Sequence, residues 1–160
     1  MSNYSELDLA GIRAARAELQ SQEDAVSFVR RMAQGRLDIA RDEQRRRLAN
    51  LPTSSTASDL AGVFGQEHGG GSARPPRETN VSTDHPLVVE LEQLCERNGF
   101  GSIRTLDVDA LQRVIDELAT FENARSGERR ALFDQIDALT AELVKRYKDG
   151  GANVDALLND

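Results

Sequence analysis

The chain has 160 residues, of which 39% are hydrophobic and 4% aromatic, with no tryptophan, a balance that suits long packed helices better than a large globular core. A net charge of −7 excludes general nucleic-acid binding, which needs a basic surface, and leaves a basic protein as the better partner. One cysteine excludes an intramolecular disulfide framework, and no apolar run reaches the ~18 residues of a membrane span, so a soluble cytoplasmic protein is expected, without direct DNA or membrane binding.

A first long helix is expected over residues 5–49, with Ser5 as N-cap, Asp8 in a looser capping box and Pro52 beyond its end. Its seam steps alternately by three and four residues: Leu9, Ile12, Arg16, Leu19, Glu23, Val26, Arg30, Ala33, Leu37, Ala40. That is a heptad-type stripe, apolar except at Arg16, Glu23 and Arg30. At Arg16 the neighbouring Ala15 can supply the packing while the arginine stem lies along the edge. The run Arg45-Arg46-Arg47 suits the C-terminal end of a helix dipole and reads as a solvated helix end.

Residues 50–83 read as a flexible linker, rich in Ser, Thr, Gly and Pro, with one helical turn expected at Leu60 to Phe64. His68-Gly69-Gly70-Gly71 matches an oxyanion-hole motif by letter, but no Gly-x-Ser-x-Gly elbow accompanies it. His68 and His85 have no partners at metal spacing, so no metal site is expected. A short helix over 84–99 opens at Asp84-His85-Pro86 and presents Leu87, Val88, Leu91, Leu94 and Cys95 on one face. Cys95 reads as a small buried hydrophobe. Asn98-Gly99 ends this helix, with Phe100 as a hydrophobic cap contact.

A second long helix is expected over 105–149, capped by Thr105 or Asp107 and stopped at Gly150-Gly151. Its seam is Leu111, Ile115, Leu118, Glu122, Arg125, Arg129, Leu132, Ile136, Leu139, Leu143. Residues 150–160 form a tail with a small apolar patch at Ala156-Leu157-Leu158. The fold class is therefore all-α: an antiparallel coiled coil of two long helices plus one short helix, with a flexible linker.

The two long helices carry one polar pattern. Glu23, Ser27, Arg30, Gln34 and Asp38 lie 4, 3, 4 and 4 residues apart. On a helix they fall within an arc of about 80° and along about 22 Å of axis. The pattern returns 99 residues later as Glu122, Ser126, Arg129, Phe133 and Asp137, with Phe in place of Gln. This is an internal repeat of a long helix. If the middle of the chain is a crossover, the copies face each other about a pseudo-two-fold axis. With that axis near the arginines, Glu23 approaches Asp137 and Glu122 approaches Asp38.

Polar residues in a coiled-coil seam reduce stability, so their recurrence needs a reason. One is an ion-pair network, at about 0–1 kcal/mol per pair. The other is a ligand surface with two-fold symmetry. Arginine forks onto phosphate or onto guanine O6 and N7, and carboxylates accept from guanine N1–H and N2–H₂. Small serines let a flat base approach. A guanine edge and an anionic phosphate, each presented twice, describe a cyclic dinucleotide.

The pattern Glu-x₃-Ser-x₂-Arg-x₃-Gln-x₃-Asp, complete at Glu23 to Asp38 and nearly so at Glu122 to Asp137, resembles the signature of the RsiG family of actinobacterial anti-sigma factors. The resemblance implies binding of cyclic di-GMP, as a dimer, on an antiparallel coiled coil with one motif per long helix. It implies as partner a WhiG-type sporulation sigma factor, held away from RNA polymerase. All ten motif residues are then expected ligand contacts, with Phe133 stacking on a guanine or marking a tolerant position. Two copies in one chain favour a platform that is monomeric by itself. The alternative is a coiled-coil interaction module with no nucleotide. An enzyme is not expected, and no catalytic residues are assigned: there is no nucleophile–base pair and no Gly-rich phosphate loop.

Overall fold

The computed structural model describes residues 6–49 and 81–157, with side chains up to residue 150. Ser5, His68, the expected turn at 60–64, most of the expected linker and the apolar patch of the tail lie outside the described side chains. Three α-helices account for most of the described residues: α1 (Leu9–Leu48), α2 (Pro86–Arg97) and α3 (Val108–Leu157). A 3₁₀ segment, Phe100–Thr105, lies between α2 and α3. Among the described residues there is no strand, so the chain is all-α.

The helix ends follow local chemistry. Asp8 caps α1, its Oδ1 accepting from the Gly11 amide at 2.7 Å. Asp107 caps α3 in the same way, accepting from the Ala110 amide at 2.7 Å. At α2 the His85 Nδ1 accepts from the Leu87 amide at 3.2 Å, and Pro86 takes the first helical position, where a missing N–H costs nothing. Past its end, Gly99 takes φ +70°, a conformation that side-chain-bearing residues resist. Helix α3 does not stop at Gly150-Gly151 but runs on to Leu157. Glycine weakens a helix interior by about 1 kcal/mol relative to alanine; it does not forbid one.

The chain divides into two compact units, residues 27–126 and residues 1–26 with 127–160. The first, the central unit, contains α2 and one stretch each of α1 and α3. Its core gathers Val29, Ala33, Leu37 and Ala40 of α1, Val88, Leu91, Leu94 and Cys95 of α2, and Leu111, Val114, Ile115, Leu118 and Phe121 of α3. The α1 and α3 stretches run antiparallel here: Arg30 meets Glu122, Gln44 meets Gln112, and Arg47 reaches Leu106. Helix α2 lays its apolar face on this pair, and Cys95 is buried there.

Among the described residues, the second, the terminal unit, is built from the outer stretches of α1 and α3. They too are antiparallel, with Arg13 hydrogen-bonded to Tyr147, the Leu7 carbonyl to Arg146, and Glu23 to Arg129. Its main apolar cluster is Ile12, Leu139 and Leu143, with Ala15 and Leu19 packed against it. Arg16 is exposed while Ala15 joins the cluster, as the seam implied. Leu9, the first seam residue, is exposed.

Candidate functional site: two arginine–glutamate pairs

Each unit holds one pairing between the two copies of the motif. In the central unit Arg30 Nη1 lies 3.0 Å from Glu122 Oε1. In the terminal unit Arg129 Nε lies 3.0 Å from Glu23 Oε1. So the arginine of each copy meets the glutamate of the other. The expected approach of Glu23 to Asp137 and of Glu122 to Asp38 is not the register adopted. Glu23 meets a residue eight positions before Asp137, about 12 Å along the helix axis, and Glu122 stands in the same relation to Asp38. Opposite charges set this register, since it places a cation rather than a second carboxylate against each glutamate.

The surroundings of the pairs differ. Glu23 has a side chain only 8% exposed, and Gln20 Nε2 donates to its other oxygen, Oε2, at 3.1 Å. Its arginine is 39% exposed. In the central unit both partners are half-buried, at 24% for Arg30 and 18% for Glu122. Ser126 donates its hydroxyl to Glu122 Oε1 at 2.9 Å, so that oxygen serves both motif residues. The Nε of Arg30 is buried and makes no hydrogen bond among the described residues.

The residue four positions after each arginine also touches it. Arg30 Nη1 donates to Gln34 Oε1 at 3.3 Å. In the second copy the Arg129 guanidinium lies over the Phe133 ring, 4.6 Å from its centroid. Of the remaining motif residues, Ser27 is buried, Asp38 half-buried and Asp137 exposed. Nine of the ten motif residues, all but Asp137, are thus at least partly shielded, and the arginines and glutamates are brought into direct contact.

The RsiG-like family model matches residues 1–63 of the chain. Over that stretch the chain is similar to the RsiG-like family. The matched stretch spans α1 and the first copy of the motif, Glu23 to Asp38; the second copy, in α3, lies outside it. That likeness points to an anti-sigma-factor role, with a sigma factor as the kind of partner. No curated protein matches the chain. None of the described helices is long and apolar enough to cross a membrane.

Three side chains outside the motif have roles that sequence reasoning missed. Arg47, read as part of a solvated helix end, donates to the carbonyls of Leu106 (2.6 Å), Ile103 (2.9 Å) and Arg104 (3.1 Å), and to Glu43 at 2.8 Å. It latches the end of α1 to the 3₁₀ segment. Arg36 bonds both Glu92 and the Cys95 sulfur, tying α1 to α2. Burial pushes the Cys95 thiol above its ordinary range, and the Arg36 guanidinium pulls the other way. Arg125, a polar seam residue outside the motif, lies over the Phe121 ring and 3.8 Å from Glu90 of α2. No signal in the sequence marks these contacts, because each depends on which carbonyl or helix the fold brings near.

Proposed function

We propose that this chain is a cyclic di-GMP-dependent anti-sigma factor that catalyses nothing. The observation that carries the reading is the doubled pairing: Arg30 on Glu122 and Arg129 on Glu23, each arginine engaging the glutamate of the opposite copy at the same distance. A salt-bridged seam alone does not require the serines, Ser27 and Ser126, and the aspartates, Asp38 and Asp137, to repeat as well. In this reading the guanidinium groups bind the phosphodiester or the guanine O6 and N7 edge, and the carboxylates accept from N1–H and N2–H₂. A dinucleotide with two guanines suits a motif present twice, and a dimer of cyclic di-GMP is the proposed ligand. The partner is a WhiG-type sigma factor, kept from RNA polymerase in the cytoplasm by a single chain. Ligand and sigma factor would each tighten the binding of the other by the same factor.

The test is titration with labelled cyclic di-GMP. Arg30→Ala and Arg129→Ala should each abolish binding while far-ultraviolet circular dichroism stays nearly unchanged. Unchanged affinity in both variants would overturn the site. The second reading, an interaction module without a nucleotide, is favoured by the fact that the arginines and glutamates already pair with one another. It requires that wild type shows no saturable binding.

A further inference from the structure

We infer that the residue four positions after each motif arginine is a positioning residue, which aims the guanidinium rather than contacting ligand itself, and that Phe133 does by stacking what Gln34 does by hydrogen bonding. The two copies differ in only this motif residue, Gln34 against Phe133. A phenylalanine cannot make an amide hydrogen bond, so by chemistry alone the second copy has lost a function. The geometry shows a substitution of means instead. Gln34 Oε1 accepts from Arg30 Nη1 at 3.3 Å, in the central unit. The Phe133 ring lies under Arg129, 4.6 Å from centroid to guanidinium carbon, in the terminal unit.

Spacing explains why both work. Residues four apart on a helix are neighbours on one face, so any side chain at this position meets the arginine. An amide oxygen occupies one N–H in the guanidinium plane. A ring occupies the face and takes none of the five N–H groups. Arg129 uses its Nε on Glu23 and is the more exposed arginine, 39% against 24% for Arg30. A side chain that is partly in solvent loses rotamer freedom when it binds an anion, and a stacking ring removes part of that freedom beforehand. Stacking of a cation on an aromatic face is worth about 0.5–2 kcal/mol, which is a factor of about 2 to 30 in affinity.

The ligand half of this inference rests on the cyclic di-GMP reading; the positioning half does not. The experiment therefore has two readouts on the full chain. The first is the order of the Arg129 Nε–Hε group by nitrogen-15 relaxation, without nucleotide. The second is affinity for labelled cyclic di-GMP. Phe133→Ala should lower the Arg129 order and weaken binding about 3- to 30-fold. Phe133→Gln, which installs the arrangement seen at Gln34, should restore both to within about 3-fold of wild type. Unchanged Arg129 order in Phe133→Ala would overturn the inference. So would a Phe133→Gln chain with an ordered Arg129 that binds as poorly as Phe133→Ala, because Phe133 would then be a ligand contact. If wild type binds no cyclic di-GMP, the functional proposal fails, while the relaxation readout still decides whether Phe133 holds Arg129.

Discussion

The central and terminal units use the same two helices and the same motif pairing, yet they are built differently. In the central unit three helices converge on one apolar core, and α2 contributes four buried side chains to it. In the terminal unit two helical stretches close over a small cluster around Ile12, Leu139 and Leu143. Stability in proteins is local, and a region with few buried apolar contacts opens at lower free energy. The motif pair of the central unit therefore rests on a firm base, and the pair of the terminal unit on a yielding one. The terminal unit also buries its glutamate more deeply, so its polar pair bears more of the work of fixing the register.

The strongest way to test that contrast is to cut into each core. Leu118 and Leu139 are both fully buried. Leu118→Ala should cost about 2–5 kcal/mol by urea unfolding, since three helices cannot all collapse onto the gap. Leu139→Ala should fall at or below the low end of that range, because two helices close over a lost side chain more easily. Its main effect should be faster amide exchange over residues 12–23, with residues 29–40 still protected. Equal global losses from the two variants would remove the distinction between the units.

The ion pairs sharpen the comparison at a smaller scale. Arg129→Ala leaves the buried Glu23 carboxylate with a neutral donor from Gln20 and should cost about 1–3 kcal/mol. Arg30→Ala strands a more exposed carboxylate that still accepts from Ser126, and it removes a buried Nε that makes no hydrogen bond. Its loss should be about 1 kcal/mol or less. Urea midpoints at neutral pH measure both, and the reverse order would contradict the burial argument.

The smallest expected effect is pH-dependent and belongs to the central unit. Burial raises the Cys95 thiol against the partial opposition of Arg36. A group whose folded pKa is raised contributes stability that is complete below its unfolded pKa, about 8.5 for a thiol, and is lost as pH rises through the folded value. The urea midpoint should fall on the alkaline side of about pH 8.5, and Cys95→Ala should flatten that limb. A wild-type curve with no alkaline decline would contradict it.

Much of this architecture was legible in the residues. All seven apolar members of the α3 seam, from Leu111 to Leu143, are buried. On α1 the apolar seam residues from Ile12 to Ala40 are buried, or half-buried at Leu19, while Leu9, in the first turn, is exposed. Heptad spacing fixes which face is buried because the period is local. It does not fix which turn of one helix meets which turn of the other, since sliding by a heptad preserves the stripe. That is why the two arginine–glutamate contacts were not foreseen although every residue in them was. Arg47 and the 3₁₀ segment escaped for a related reason: a basic helix end looks alike whether it faces water or three carbonyls.

The central claim is that the paired motif binds cyclic di-GMP, and thermal unfolding with and without the nucleotide tests it most directly. A ligand that binds only the native state at about 100 times its Kd adds about 2.7 kcal/mol of stability. Wild type should therefore melt several degrees higher with cyclic di-GMP, and Arg30→Ala should not respond. A wild-type melting temperature that stays fixed up to millimolar nucleotide would contradict the account.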